Sequence, residues 1–63
     1  MSEQLYDVIA VDMKTNRVRL IGHDKTKENA EAYVKMAVMR RGVEKEFYTE
    51  VEAGKYRDGN KYP

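Results

Sequence analysis

From Leu5 to Met13 the chain is rich in apolar and β-branched residues, and both alternating sets along it contain them. Leu5, Asp7, Ile9, Val11 and Met13 form one set, and Tyr6, Val8, Ala10 and Asp12 form the other. Such a run predicts a strand with neighbours on both edges and partial cover on both faces. Lys14-Thr15-Asn16 then breaks the pattern, and Asn16 is the residue best suited to a left-handed turn conformation. Arg17-Val18-Arg19-Leu20 alternates cleanly until Ile21 interrupts it. Strand, short polar turn and strand read as an antiparallel hairpin.

Gly22-His23-Asp24-Lys25 reads as a connector, and Thr26 is placed to cap a helix with its hydroxyl. Over Lys27–Arg41 the residues Ala30, Tyr33, Val34, Ala37 and Val38 fall at helical spacing. Glu28 suits the positive end of that helix, and Arg40 and Arg41 suit the negative end. Gly42 followed by Val43 is a stop signal, because glycine turns left-handed and the apolar residue can fold back on the last turn. Glu44 to Ala53 alternates again, with Phe47, Thr49, Val51 and Ala53 on one side and Tyr48, Glu50 and Glu52 on the other. This predicts a third strand, ended by Gly54.

The order strand, strand, helix, strand predicts an α+β fold, ββαβ, with one helix on one face of a three-stranded antiparallel sheet. A fifteen-residue helix is about 22 Å long and returns the chain to its starting end. The third strand then runs parallel to the second and antiparallel to the first. The first strand, apolar on both faces, belongs in the middle, giving the spatial order 2-1-3 with a right-handed crossover. Ile9, Val11, Val18, Leu20, Phe47 and Val51 are assigned to the helix side. The domain is expected over residues 1–54, with residues 55–63 a polar tail or a short hairpin around Asp58-Gly59.

Composition narrows the function classes more than it names one. Sixty-three residues make one domain of marginal stability, and with no cysteine neither disulfides nor thiolate metal sites can support it. Self-association remains as a compensation. Twelve Lys and Arg against eleven Asp and Glu leave a net charge of +1, which counts against a domain built to hold phosphate backbones. No apolar run approaches the roughly 20 residues that span a bilayer, so no membrane partner is expected. Met1-Ser2-Glu3-Gln4 shows no basic stretch ahead of an apolar block, which makes a cytoplasmic location the default expectation.

The sheet face expected to lie open carries Tyr6, Val8, Arg17, Arg19, Ile21 and Tyr48, with Ala10, Glu50 and Glu52 beside them. An apolar centre rimmed by charge suits pairing with a second copy or another protein. The alternative is weak nucleic-acid binding, with Tyr6 and Tyr48 stacking bases beside Arg17 and Arg19, although Glu50 and Glu52 would repel phosphate there. The basic and aromatic tail residues Lys55, Tyr56, Arg57 and Lys61 offer a second such surface, against the plainer reading of a solvated terminus. Met36 and Met39 lie off the buried stripe of the helix, and a contiguous patch with Ala32 would make them an adaptable contact surface. His23-Asp24 is the one pairing that resembles acid–base chemistry, but adjacent residues rarely point together and no nucleophile accompanies them. His23, Asp24 and Asp12 have no metal-ligand spacing. Neither a cofactor nor an enzymatic activity is predicted.

Three stretches carry a family likeness: Tyr6-Asp7-Val8-Ile9-Ala10-Val11, the helix end Val34–Val43, and Ala53-Gly54-Lys55-Tyr56-Arg57-Asp58-Gly59. Together they resemble small ββαβ proteins found in phage and prophage genomes, over nearly the whole chain. The resemblance implies a small cytoplasmic accessory protein that acts by binding something else, and it supplies no catalytic or binding residues.

Overall fold

The computed structural model describes residues 3–63. Met1 and Ser2, part of the stretch read above for a leader, lie outside the described residues. Strands β1 (Tyr6–Asp12), β2 (Val18–Lys25) and β3 (Glu46–Glu52) form one antiparallel sheet in the order β2-β1-β3, with helix α1 (Lys27–Arg41) between β2 and β3 in sequence. This is the predicted ββαβ arrangement. Apolar content on both sides of β1 has the predicted consequence: Asp7, Val8, Ile9, Ala10 and Val11 are all buried.

The turn between β1 and β2 is held by the side chain of Asp12, whose Oδ1 accepts from the N–H groups of Lys14 and Thr15 at 2.8 and 3.0 Å. These two bonds are the main reason the Asp12 carboxyl lies below its ordinary pKa. Asn16 closes the turn with φ 62°, the left-handed conformation its amide tolerates. Thr26 caps α1 by accepting from the N–H of Asn29 at 3.2 Å, and Gly42, at φ 73°, donates its own N–H to the Val38 carbonyl.

β2 runs four residues beyond the predicted end, through Lys25. Val8 pairs with Gly22 while Ile9 pairs with Leu20, so Ile21 is an extra residue and the strand bulges there. A second irregularity lies between Gly22 and Lys25, where Asp24 takes φ 50° and donates its N–H to Oδ1 of Asp7 at 3.0 Å. Oδ2 of the same carboxylate accepts the N–H of Gly54, in the turn after β3, also at 3.0 Å. Asp7 is 4% exposed, so one buried side chain ties the bulged end of β2 to the exit of β3 across β1. The pattern of the sequence marked Asp7 only as the lone acid in an apolar set.

The two sets of sheet residues separate as predicted, but their covers are exchanged. Ala10 and Tyr48 pack with Ala37, Val34 and Ile21, so α1 lies on the face that carries Val8, Ala10 and Tyr48. Ile9, Val11, Val18, Leu20, Phe47 and Val51, expected under the helix, pack instead against Tyr56 and Tyr62 of the C-terminal segment. The reason lies in side-chain size. The buried residues of α1 are Ala30 and Ala37, and a helix with so slim a contact stripe seats closely on the smaller side chains of Val8 and Ala10. The bulkier set leaves a broader surface, which two tyrosine rings cover.

Residues 55–63 are therefore neither a loose tail nor a hairpin of their own. They cross the second face and pair with the outer edge of β2. Val18 donates to the carbonyl of Asn60, Gly59 donates to that of Val18, and Tyr62 donates to that of Asn16, all at 2.8 Å. Oδ1 of Asp58 accepts the N–H of Leu20 at 2.7 Å. Arg57 to Asn60 make the predicted turn at Asp58-Gly59, with Gly59 at φ 88° in the position that favours glycine. Tyr62 meets Phe47 edge to face, with ring centroids 5.5 Å apart, and Tyr56 lies 5.7 Å from Tyr62.

Candidate interaction surfaces

The sheet face proposed from sequence as open is the covered one. Val8 is completely buried, Tyr48 is 7% exposed, and Tyr6 and Ile21 are half-buried. Arg19, Ala10 and Tyr48 stand in one row across β2, β1 and β3. Glu46 accepts from both neighbours of that row: from the Arg19 guanidinium at 2.9 Å and from the Tyr48 hydroxyl at 2.9 Å. Burial, with the Glu46 carboxylate beside it, raises the Tyr48 phenol above its ordinary pKa. Arg17 donates to the Gly59 carbonyl at 2.9 Å. Tyr6 and Tyr48 thus offer no stacking platform, and both arginines are engaged within the domain.

The tail residues are likewise partly consumed by the fold. Tyr56 is packed on the second sheet face, the Arg57 N–H donates to the Asn60 side chain at 2.8 Å, and Lys61 stands opposite Arg17 in a bridge between the tail and β2. Lys55 lies 5.9 Å from the Tyr56 ring centre, and its ammonium, like those of Arg57 and Lys61, projects from an exposed residue.

His23 and Asp24 are exposed at the bulged end of β2, where Asp24 serves through its backbone. Asp12 is at the other end of β1, occupied with its own turn. The three do not come together, and no group of three His, Cys, Asp or Glu suited to a metal ion occurs among the described residues.

What the fold does leave open is on α1 and along β3. Ala30, Val34 and Ala37 face the sheet, while Ala32, Met36 and Met39 point the opposite way, spaced four and three residues apart. Val43 lies beyond the Gly42 cap, outside the helix, and is exposed as well. Met36 and Met39 are 51 and 86% exposed, so the outer stripe of Ala32, Met36 and Met39 that the sequence only raised as a condition is present. Glu28 and Glu31 flank its first half, and Lys35 and Arg40 its second. Beside it, Ile21, Tyr33, Met36, Ala37, Arg40 and Arg41 line a cleft of about 70 Å³, room for little more than a side chain.

On the other flank of the helix, Glu31, Val34, Lys35 and Glu50 line a shallow groove of about 320 Å³ beside β3. Oε2 of Glu50 is shielded from solvent and has no hydrogen-bond partner. No family model, curated protein or solved structure matches this chain. The surfaces left open carry exposed methionines, an unpaired strand edge and an unpartnered carboxylate oxygen. No helix is long and apolar enough to cross a membrane among the described residues.

Proposed function

We propose that this chain is a small non-catalytic interaction module that pairs with a second copy of itself, through the outer stripe of α1 rather than through the sheet. The observation that carries this reading is Met36 and Met39 standing outward in line with Ala32, on the side of the helix opposite its packed alanines. A helix apolar on two opposite sides has one side for its own core and one for another surface.

Charge supports a second copy as the occupant. The first half of α1 carries Glu28 and Glu31 with Lys27, and the second half carries Lys35, Arg40 and Arg41. An antiparallel pair sets the acidic half of each helix beside the basic half of the other, and aligns the helix dipoles favourably. Methionine side chains adapt to such a contact without demanding one fixed fit. One pair of helices buries less than the roughly 800 Å² per partner of a standard interface, so the dimer is of the weak, reversible kind. A small cytoplasmic accessory protein of the phage type, working through contacts, fits this reading.

Mass by light scattering across a wide concentration range tests it. The expected result is a monomer that moves to dimer as concentration rises, with Met39→Glu holding the chain monomeric while its melting temperature stays within a few degrees. A wild-type chain that remains monomeric at millimolar concentration, or a dimer that survives both Met39→Glu and Met36→Glu, overturns the proposal.

A further inference from the structure

β3 has a neighbour on one side only. Ala53 donates to the Leu5 carbonyl and Met13 donates to the Lys45 carbonyl, at 3.0 and 2.9 Å, which fixes the phase of the β1–β3 ladder. In an antiparallel pair, residues alternate between those bonded to the partner strand and those whose backbone points away. The odd-numbered residues of β3 bond to β1, so the N–H and C=O groups of Glu46, Tyr48 and Glu50 point out of the sheet, together with the N–H of Glu52. The carbonyl of Glu52 is taken by the N–H of Lys55, and that of Glu50 accepts a long contact from the Thr49 hydroxyl at 3.4 Å, which an incoming N–H would displace. A seven-residue edge of this kind presents about 23 Å of strand able to accept another.

The same even-numbered residues carry Glu46, Glu50 and Glu52 on the helix side of the sheet. Arg19 compensates Glu46, and no ion pair reaches Glu50 or Glu52 among the described residues. Glu50 Oε2 is shielded and unpartnered beside the groove that Glu31 also lines, with Lys35 as the single cation there. An unpaired buried acceptor is costly, and a donor brought by a ligand removes that cost.

We infer that the free edge of β3 binds an extended segment of another protein carrying lysine or arginine at alternate positions. The incoming strand continues the sheet by backbone hydrogen bonds to Tyr48 and Glu50. One of its basic side chains enters the groove between β3 and α1 and donates to Glu50 Oε2. Its other side chains lie beside Phe47, Thr49 and Val51, where β-branched residues fit. A second copy of β3 is a poor occupant. Symmetric antiparallel pairing about Thr49 sets Glu46 against Glu52 at both ends, and like charges directly opposite are destabilising. The chain's own alternating basic stretch, Arg17-Val18-Arg19, is already bonded to β1 and to the tail. This site is distinct from the outer stripe of α1, and its test does not depend on self-association.

The probe is a capped eight-residue peptide alternating lysine and valine, titrated into the wild-type protein and followed by amide NMR and hydrogen exchange. The expected result is slowed exchange and shifted resonances at the Tyr48 and Glu50 amides. Affinity should fall at least ten-fold in Glu50→Lys and by a smaller factor in Glu50→Gln, while a glutamate–valine peptide leaves those amides unmoved. In Glu50→Pro the outward N–H is lost without breaking the ladder to β1, and binding should weaken while the melting transition persists. Equal binding of the acidic peptide overturns the inference, as does undiminished affinity in Glu50→Lys or an unaltered Tyr48 amide at saturating peptide.

Discussion

Removing the Asp7 carboxylate should cost this domain a large part of its stability. The side chain is 4% exposed and accepts two backbone N–H groups, from Asp24 and from Gly54, each at 3.0 Å. Hydrogen bonds to a charged acceptor contribute about 1.5–3 kcal/mol each. Burying a carboxylate opposes that gain, and Asp7→Ala removes the opposing cost as well. The decisive quantity is what happens to the two N–H groups left behind. One belongs to a bulge and the other to a turn, both partly buried, so neither can find a new protein partner without moving the backbone. A net loss of about 2–4 kcal/mol follows, against a total on the order of 3–9 kcal/mol for a chain of this size. Asp7→Asn keeps one acceptor and turns an amide N–H₂ towards the second donor, so it should fall between wild type and alanine. Urea denaturation followed by circular dichroism gives the free energies. Hydrogen exchange of the Asp24 and Gly54 amides shows whether the loss has the assigned cause. Asp7→Ala within about 0.5 kcal/mol of wild type, or protection retained at both amides, would refute the reasoning.

Three further outcomes follow from the same geometry. Tyr62→Ala uncovers part of the Ile9, Val11 and Phe47 surface and should destabilise by about 1–2 kcal/mol, less than a fully buried aromatic, whereas Tyr62→Phe, read by the same urea titration, should be nearly neutral. Asp12 has a lowered pKa in the folded chain, so its bonds to Lys14 and Thr15 contribute fully above the ordinary value of 3.8 and fade as pH falls below it; Asp12→Asn should flatten that part of the acid stability curve, and a curve unchanged in shape would contradict it. The Tyr48 phenol is raised above 10.0, so the folded chain holds that proton while the unfolded chain releases it, and stability declines as pH rises past 10.0. Absorbance near 295 nm should show a phenol ionising above 10.0, or only with unfolding, and Tyr48→Phe should remove that component.

Local signals and overall topology were legible in the sequence because each rests on short-range chemistry. Asn16 at φ 62°, the Thr26 cap and Gly42 at φ 73° are where their side chains, or the lack of one, require them. The central place of β1 followed from apolar residues on both its faces. The choice of face for α1 did not follow, because alternation separates the two sets without saying which way either points. That depends on how closely the alanine stripe of α1 seats on the smaller side chains of Val8 and Ala10, with Ile21 brought beside them by its bulge. The interruption of alternation at Ile21 was the visible trace of that bulge. Covering of the second face by Tyr56 and Tyr62 was hidden in a segment whose polar residues read as solvated, although Asp58 and Asn60 spend their polarity on backbone of the turn and of β2. The misplaced interaction face is a direct result of that exchange. Met36 and Met39 were noticed, and only the orientation of α1 could make them a surface.

The pairing of the tail with β2 also limits how the sheet can grow. The segment from Asp58 to Tyr62 occupies the edge from Asn16, just before β2, to Leu20 within it, and the rest of that edge is distorted by two irregularities. A strand that joins β3 therefore meets a blocked edge at the far side of the molecule. By that geometry the sheet offers one unblocked edge, that of β3, and a strand added there would leave no second edge along which the sheet could continue into a fibre.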